Sequence, residues 1–304
     1  GEGRAGDVIL DNDMFEMDTE IWKKQEKRKL SVRTRVSLFL LLVAIPLTIA
    51  VGFYVMDVAA VGTVFEKIFG PRKYYFISLV IIIYSLLPFF MVFEGRKPQV
   101  RELVVLATMV ALATAGRAAF FMIPSFKPII AIVIISAIAF GGEAGFLVGA
   151  MTMVVSNFLF GQGPWTPWQM FCWGLVGFLA GILCRTGLFG PVGQTPANEK
   201  GKRRKPVALC IYGFLSGFLY GWIMNLYYII GWVRPFSLKA AGAAYISSFF
   251  FDLSHGICTA LVLWLVGETW VRKLLRIKKK FGLTGEIRRY ELPPSFRAME
   301  GDIP

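Results

Sequence analysis

The sequence is poor in charge and in the side chains that usually carry chemistry. Charged residues make up 17% of its 304 residues, whereas a typical soluble domain carries about 25%. It has one histidine, and its four cysteines form no CxxC pair, so we expect neither a metal site nor a disulfide framework. The motifs GxSxG, HExxH and GxxxxGK[ST] do not occur. We therefore expect no catalytic residue, no cofactor and no ATPase site of its own.

Long apolar runs take the place of charge. Hydrophobic residues make up 56% of the chain, and the mean hydropathy is +0.59. Val36 to Met56 and Tyr74 to Phe93 contain no charged residue, and about 20 apolar residues span a bilayer as a helix. Because the runs are continuous rather than alternating, they predict an all-α polytopic membrane protein. The eight predicted spans, of which the fourth is short enough to be tilted or incomplete, are residues 36–56, 74–93, 103–123, 128–142, 144–161, 169–185, 207–232 and 242–266.

The basic residues are concentrated on one side of these spans. The net charge of +13 comes from 33 Lys and Arg against 20 Asp and Glu, and such an excess can indicate nucleic-acid binding. However, 26 of the 33 lie in the two tails and in the loops at 94–102 and 185–206. Loops rich in Lys and Arg stay cytoplasmic. We therefore predict a multi-pass protein of the cell membrane with both termini in the cytoplasm and no nucleic-acid partner.

Four segments follow from these patterns. We predict a polar cytoplasmic N-terminal tail over residues 1–35, a two-helix accessory membrane module over 36–100, a six-helix substrate-binding membrane domain over 101–275, and a basic cytoplasmic C-terminal tail over 276–304. Around the last boundary, apolar residues recur at helical spacing among Lys and Arg, which predicts an amphipathic helix on the membrane surface. These residues are Trp270, Val271, Leu274, Leu275 and Ile277.

The few polar side chains inside the spans mark a candidate site, because ionisable groups are costly in a membrane. At about 1.5 Å of rise per residue, Arg117 and Asp252 lie between the outer surface and the midplane, as do Asn157 and Asn225. His255 is the third ionisable group within a span. We predict a pocket that is open to the outside and has aromatic walls. Its candidate substrate-binding residues are Arg117, Lys127, Asn157, Gln162, Trp165, Trp168, Gln169, Asn225, Asp252 and His255.

Several of these residues have a plainer interpretation. Trp165 and Trp168 are equally compatible with an interfacial aromatic belt. Arg117 could form a structural ion pair with Asp252. Asp252 and His255 share a helix face, which allows a proton relay but favours a structural hydrogen bond between helices. One histidine and one aspartate supply too few ligands for a metal.

Small residues recur every four positions on two predicted helices. Such stripes let helix backbones approach closely. We expect the glycine stripe to pack within the chain. For the alanine stripe, packing considerations alone favour an internal role and a docking role equally. The alanine stripe is Ala107, Ala111, Ala115 and Ala119, and the glycine stripe is Gly213, Gly217 and Gly221.

Short motifs follow one another in a distinctive order between residue 101 and about residue 275. They are Gly116-Arg117, Ile123-Pro124, Phe126-Lys127-Pro128, Phe140-Gly141-Gly142, Gly145, Gly149-Ala150, Ser156-Asn157, Trp168-Gln169 and Phe251-Asp252-Leu253-Ser254-His255-Gly256. In this order and spacing the sequence resembles the substrate-binding S component of energy-coupling factor (ECF) vitamin transporters. The two extra helices before residue 101 depart from the usual six-span pattern.

The resemblance implies a six-helix protein that binds a micronutrient from outside. It also implies docking onto a transmembrane coupling subunit that carries two cytoplasmic ATPase subunits. In that family an alanine motif on the first core helix contacts the coupling subunit, and Ala107, Ala111 and Ala115 match it. The resemblance therefore favours the docking role for the alanine stripe.

The substrate is less well defined by the sequence. The uncharged, tryptophan-rich outer rim favours a planar or heterocyclic ligand through stacking, and we expect cobalamin or a cobalamin precursor, with a queuosine precursor or another vitamin as the alternative. A second function is a self-sufficient proton-coupled secondary transporter that uses Asp252 and His255, although no inverted repeat supports it. A membrane scaffold would not need a convergent outer pocket.

Overall fold

The computed structural model describes residues 100–163, 165–193, 206–232 and 237–283, with isolated positions at 39, 43, 47 and 64. Within these residues all regular secondary structure is helical. Apart from the isolated positions, the first two predicted spans, the accessory module that they form and most of both tails lie outside the described residues. The helices are α1 (Val100–Ala119), α2 (Ile129–Phe140), α3 (Gly142–Phe160), α4 (Thr166–Arg185), α5 (Val207–Trp232), α6 (Leu238–Val262) and α7 (Glu268–Lys280).

The lengths of these helices fit a membrane protein. Five helical stretches are long and apolar enough to cross a bilayer, namely α1, α3, α4, most of α5 and the continuous stretch that contains α6 and α7. Only α2 is too short, because 12 residues rise about 18 Å against a hydrocarbon core of about 30 Å. The prediction of a short or incomplete fourth span is confirmed.

Helix α2 is the centre of the bundle. Eleven of its twelve residues are buried, as expected for a helix that is apolar on all sides. Pro128 stands just before its first turn, where a missing N–H costs nothing. Gly141 ends it with φ at 101°, a backbone conformation that favours glycine. The chain then turns directly into α3.

Glycines let the neighbouring helices approach each other closely. A Cβ at Gly149 would collide with the backbone of Trp173 on α4. Likewise, a Cβ at Gly217 on α5 would collide with the backbone of Gly256 on α6, and Gly213 lies against Leu263. The glycine stripe therefore packs within the chain, and that prediction is confirmed.

Helix α1 has one buried face and one exposed face. Leu106, Met109 and Ala113 are buried in the core, at spacings that place them on one face. The opposite face carries the three candidate docking residues Ala107, Ala111 and Ala115, all of which are exposed. The bundle therefore leaves the alanine stripe uncovered within the described residues.

Helix α6 runs into α7 without a break. A π-helical segment, Leu263–Gly267, joins the two into one stretch from Leu238 to Lys280. The amphipathic helix predicted near residue 270 is therefore present, and its placement at the membrane surface stays a prediction. Val271 and Leu274 are buried in the bundle core, and the Lys278 ammonium donates to the carbonyl of Ala139 on α2 at 2.8 Å. The apolar face of α7 is used for packing against the protein.

Candidate functional site

Arg117 connects α1 to α3 near one end of the bundle. Its Nη1 donates to Ser156 Oγ at 2.6 Å and to Asn157 Oδ1 at 2.7 Å. Its guanidinium carbon also lies 4.8 Å from the ring centroid of Phe160, within the range of a cation–π interaction. The charge is thus held by two oxygen acceptors and an aromatic face.

Asn157 extends these contacts to α4. Its side chain is 1% exposed, and its Nδ2 donates to Gln169 Oε1 at 2.8 Å and to Thr166 Oγ1 at 2.9 Å. The Thr166 hydroxyl in turn donates to Gln162 Oε1 at 3.0 Å. We call the connected set the outer polar network; it consists of Arg117, Ser156, Asn157, Gln162, Thr166 and Gln169.

An aromatic group lies one turn below this network. Gln169 Nε2 donates to the Tyr220 hydroxyl at 3.4 Å, and Tyr220 meets Trp173 edge-on at a centroid distance of 5.3 Å. The His255 ring lies 5.3 Å from Tyr220 and 6.4 Å from Trp173, again edge-on. We call Trp173, Tyr220 and His255 the aromatic trio. It brings α4, α5 and α6 together beneath the amides of the network.

The two tryptophans of the predicted rim have different surroundings. Trp168 is 2% exposed and packs against Tyr227 at 5.4 Å, so it belongs to the core and not to an interfacial belt. Trp165 is 39% exposed, and its ring covers Gly163, where a Cβ would collide with it. Only Trp165 therefore remains at the rim.

Lys127 lies in the loop between α1 and α2. Its ammonium donates to the Ile123 carbonyl at 3.4 Å. Partial burial lowers the pKa of Lys127, and the nearby charge of Arg117 lowers it further. The same loop reaches α6, because Ser254 Oγ donates to the Pro124 carbonyl at 3.3 Å. Lys127 thus lies close enough to Arg117 for the two charges to interact.

Asn225 and Asp252 form a separate group, the α5–α6 cluster, with Ser248. Asn225 Nδ2 donates to Ser248 Oγ at 2.6 Å, and Ser248 Oγ donates to Asp252 Oδ2 at 3.2 Å. Asp252 is 4% exposed and fits against α5 because position 221 is glycine; a Cβ there would overlap the carboxyl group. The cluster links two helices only.

The ion pair between Arg117 and Asp252 that the sequence allowed is not formed, and that alternative was wrong. Arg117 faces Ser156 and Asn157, whereas Asp252 faces Ser248. Asp252 and His255 also have different partners, since Asp252 accepts a hydrogen bond from Ser248 and His255 contacts the other two rings of the aromatic trio. The predicted site residues therefore fall into separate groups, with Arg117 and Asn157 in the outer polar network, His255 in the aromatic trio, and Asn225 and Asp252 in the α5–α6 cluster.

Sequence reasoning missed five of the residues that complete these groups. Ser156 and Thr166 are polar and lie next to predicted site residues or loops, so their positions gave a usable signal. Trp173 lies four residues after Gln169, on the same helix face. Tyr220 and Ser248 gave no signal, because a single hydroxyl in an apolar span is compatible with many environments.

A family comparison agrees with this geometry. The family model described as "ECF-type riboflavin transporter, S component" matches residues 97–268, which is more than half of the chain. The chain belongs to this family. Neither the curated proteins nor the solved structures compared with it gave a significant match.

The matched range covers the helices that hold the outer polar network, the aromatic trio and the α5–α6 cluster. It begins just before α1 and ends at the first residue of α7. As an S component, the chain is a substrate-binding subunit of a transporter, with a helical, multi-pass membrane fold. The S component offers amides, hydroxyls and a guanidinium as hydrogen-bonding groups, next to aromatic rings that suit a flat ligand.

Proposed function

We propose that this S component binds a flavin, with riboflavin as the first candidate, between the outer polar network and the aromatic trio. The observation that carries the proposal is the position of Trp173 and Tyr220 directly below the amides of Asn157 and Gln169. A flavin has a flat three-ring system for stacking, an edge of amide-like groups and a hydroxylated chain. The site offers aromatic rings to stack on the ring system, and amide or hydroxyl partners for the amide-like edge and the hydroxylated chain.

Within this proposal the predicted residues take separate roles. Arg117, Asn157, Gln162 and Gln169 exchange their mutual hydrogen bonds for bonds to the ligand, and His255 contributes to the aromatic wall. Lys127, Trp165 and Trp168 shape the rim and its support. Asn225 and Asp252 lie in the α5–α6 cluster, which is separate from the network. Their contact with the ligand is therefore the least supported of the predicted contacts.

The family description changes the order of the candidate vitamins. The rim tryptophans alone suggested cobalamin or its precursor, with a queuosine precursor as the alternative. A corrin carries axial ligands on both faces of its metal, whereas a flavin is flat on both faces. A flat ligand fits better against the edge-on rings of Trp173, Tyr220 and His255. We therefore place riboflavin before cobalamin.

We further propose that transport depends on partner subunits in the cell membrane. The S component binds its ligand from outside, with both termini in the cytoplasm, and docks on a transmembrane coupling subunit that carries two ATPase subunits. Exposure of Ala107, Ala111 and Ala115 along one face of α1 supports this docking role. The ATPase subunits hydrolyse ATP, and the S component supplies specificity.

Ligand binding can be tested on the purified full chain by quenching of flavin fluorescence. We expect riboflavin to bind without ATP, and Trp173→Leu to weaken binding about tenfold or more, as loss of a central aromatic contact does. Trp222→Leu is a matched control, because Trp222 lies on α5 near Tyr220 but is 56% exposed. Binding of cobalamin with no binding of riboflavin would overturn the flavin assignment.

Uptake into liposomes by the S component alone, driven by a pH gradient, would instead favour the secondary transporter.

A further inference from the structure

Two cations meet over one aromatic ring where α1 begins and α7 ends. The Arg101 guanidinium carbon lies 5.9 Å from the ring centroid of Phe281, and Lys280 Nζ lies 5.6 Å from the same centroid. Arg101 belongs to the first turn of α1, while Lys280 is the last residue of α7. Residues that are far apart in sequence therefore form one basic cluster, which no sequence motif indicated.

The cluster is accessible and positively charged. Arg101 and Lys280 are exposed, and the Phe281 ring is 41% exposed. The acidic neighbour in sequence, Glu102, is 3% exposed and turned into the bundle. The surface at this point therefore presents two cationic side chains and an aromatic ring, which is a combination that attracts a phosphate group.

An apolar strip continues from the cluster along α1. Val100, Leu103 and Val104 are 75%, 45% and 60% exposed, and their spacing places them on neighbouring positions of the helix surface. Since α1 is a candidate span that begins at Val100, Arg101 lies at the boundary between membrane and water. Cations at this boundary above an apolar strip match a lipid, which has a charged headgroup above its acyl chains.

We propose that Arg101, Lys280 and Phe281 form a binding site for an anionic phospholipid. The headgroup phosphate lies between the guanidinium and the ammonium, and an acyl chain follows Val100 and Val104. The lipid would join the start of α1 to the end of α7. An acidic segment of a partner protein would satisfy the two cations but would make no use of the apolar strip. The site is independent of the flavin proposal, because it lies on a different surface of the protein.

Native mass spectrometry of the full chain can test this site with phosphatidylglycerol and phosphatidylcholine as probes. We expect phosphatidylglycerol to be retained preferentially, and the double variant Arg101→Gln/Lys280→Gln to lower its occupancy about fivefold or more, because both phosphate contacts are lost. Arg185→Gln/Lys239→Gln is the matched control. It removes the same charge from exposed positions at the end of α4 and the start of α6, and we expect less than about a twofold change.

Three results would overturn the site. They are equal retention of the two lipids, equal losses in the two double variants, and unchanged retention in Arg101→Gln/Lys280→Gln. Arg101→Lys keeps the charge and should retain most of the lipid, which separates loss of the site from loss of the fold. Unchanged thermal unfolding of the double variant serves as a second check on folding.

Discussion

The outer polar network and the α5–α6 cluster are both polar groups inside an apolar bundle, but they are built differently. The network connects α1, α3 and α4, and reaches α5 through Tyr220. The cluster connects α5 and α6 through one serine. Hydrogen bonds between membrane helices contribute about 0.6 kcal/mol on average, so the number of connections matters more than any single bond. We therefore propose a ligand site in the network and a packing role in the cluster.

The strongest test of this comparison is Asn157→Leu. It removes one of the two oxygen acceptors of Arg117 and the donor to Thr166 and Gln169, leaving buried polar groups with fewer partners. We expect a loss of about 2–4 kcal/mol in stability, together with loss of riboflavin binding, measured by thermal unfolding and by fluorescence titration. Asn157→Asp retains an acceptor for Arg117 and should destabilise the protein less. Equal losses in the two variants would contradict the assigned hydrogen bonds.

Ala111→Trp separates binding from transport. Ala111 lies on the exposed face of α1, away from the network, and a bulky side chain there would block close approach of another helix. We expect uptake of labelled riboflavin by cells with the complete transporter to fall about tenfold or more, with affinity of the purified S component changed by less than about twofold. Leu112→Trp is the control, because Leu112 is also exposed on α1. Normal uptake by the Ala111 variant would remove the support for docking at this stripe.

Asp252→Asn tests the α5–α6 cluster directly. The amide keeps the shape of the side chain and an acceptor for Ser248. We expect riboflavin affinity to fall by no more than about threefold, since this is less than 1 kcal/mol. The same titration would show a far larger loss if the Asp252 carboxylate contacts the ligand or carries a coupled proton, and the cluster would then belong to the site.

The smallest expected effect on ligand affinity is at the opposite end of the bundle. Lys278→Met removes the hydrogen bond to the Ala139 carbonyl and a positive charge from the C-terminal end of α2. We expect a loss of about 1 kcal/mol in stability with no change in ligand affinity. Lys273→Met, at an exposed position of α7, should be nearly neutral. A change in riboflavin affinity in the Lys278 variant would mean that the two ends of the bundle are coupled.

The helices could be predicted from the sequence because apolar length and breaker residues determine them. Pro128 and Gly141 marked both ends of α2, and the small-residue spacing identified the seam between α5 and α6. The rise per residue also predicted similar membrane depths for Arg117 and Asp252. Depth does not give the direction in which a side chain points around its helix. Arg117 faces α3, and Asp252 faces α5, so their pairing could not be decided from the sequence.

Packing of α7 was beyond prediction for a related reason. An amphipathic pattern predicts that one face of the helix is buried away from water, but it does not show whether lipid or protein covers that face. In this protein the core around α2 covers Val271 and Leu274. The aromatic trio likewise depends on three helices meeting, and each helix alone gives no sign of its neighbours.

The bond between Lys278 and Ala139 has a consequence for biosynthesis. The two residues are 139 positions apart, and the ribosome makes Ala139 first. The carbonyl of Ala139, at the end of a short, buried helix, therefore has no lysine partner until 139 further residues have been made. Because unsatisfied carbonyls are unfavourable away from water, the central helix reaches its final state only after the C-terminal helix arrives. Folding of α2 is thus completed by α7, the last helix of the described residues to be synthesised.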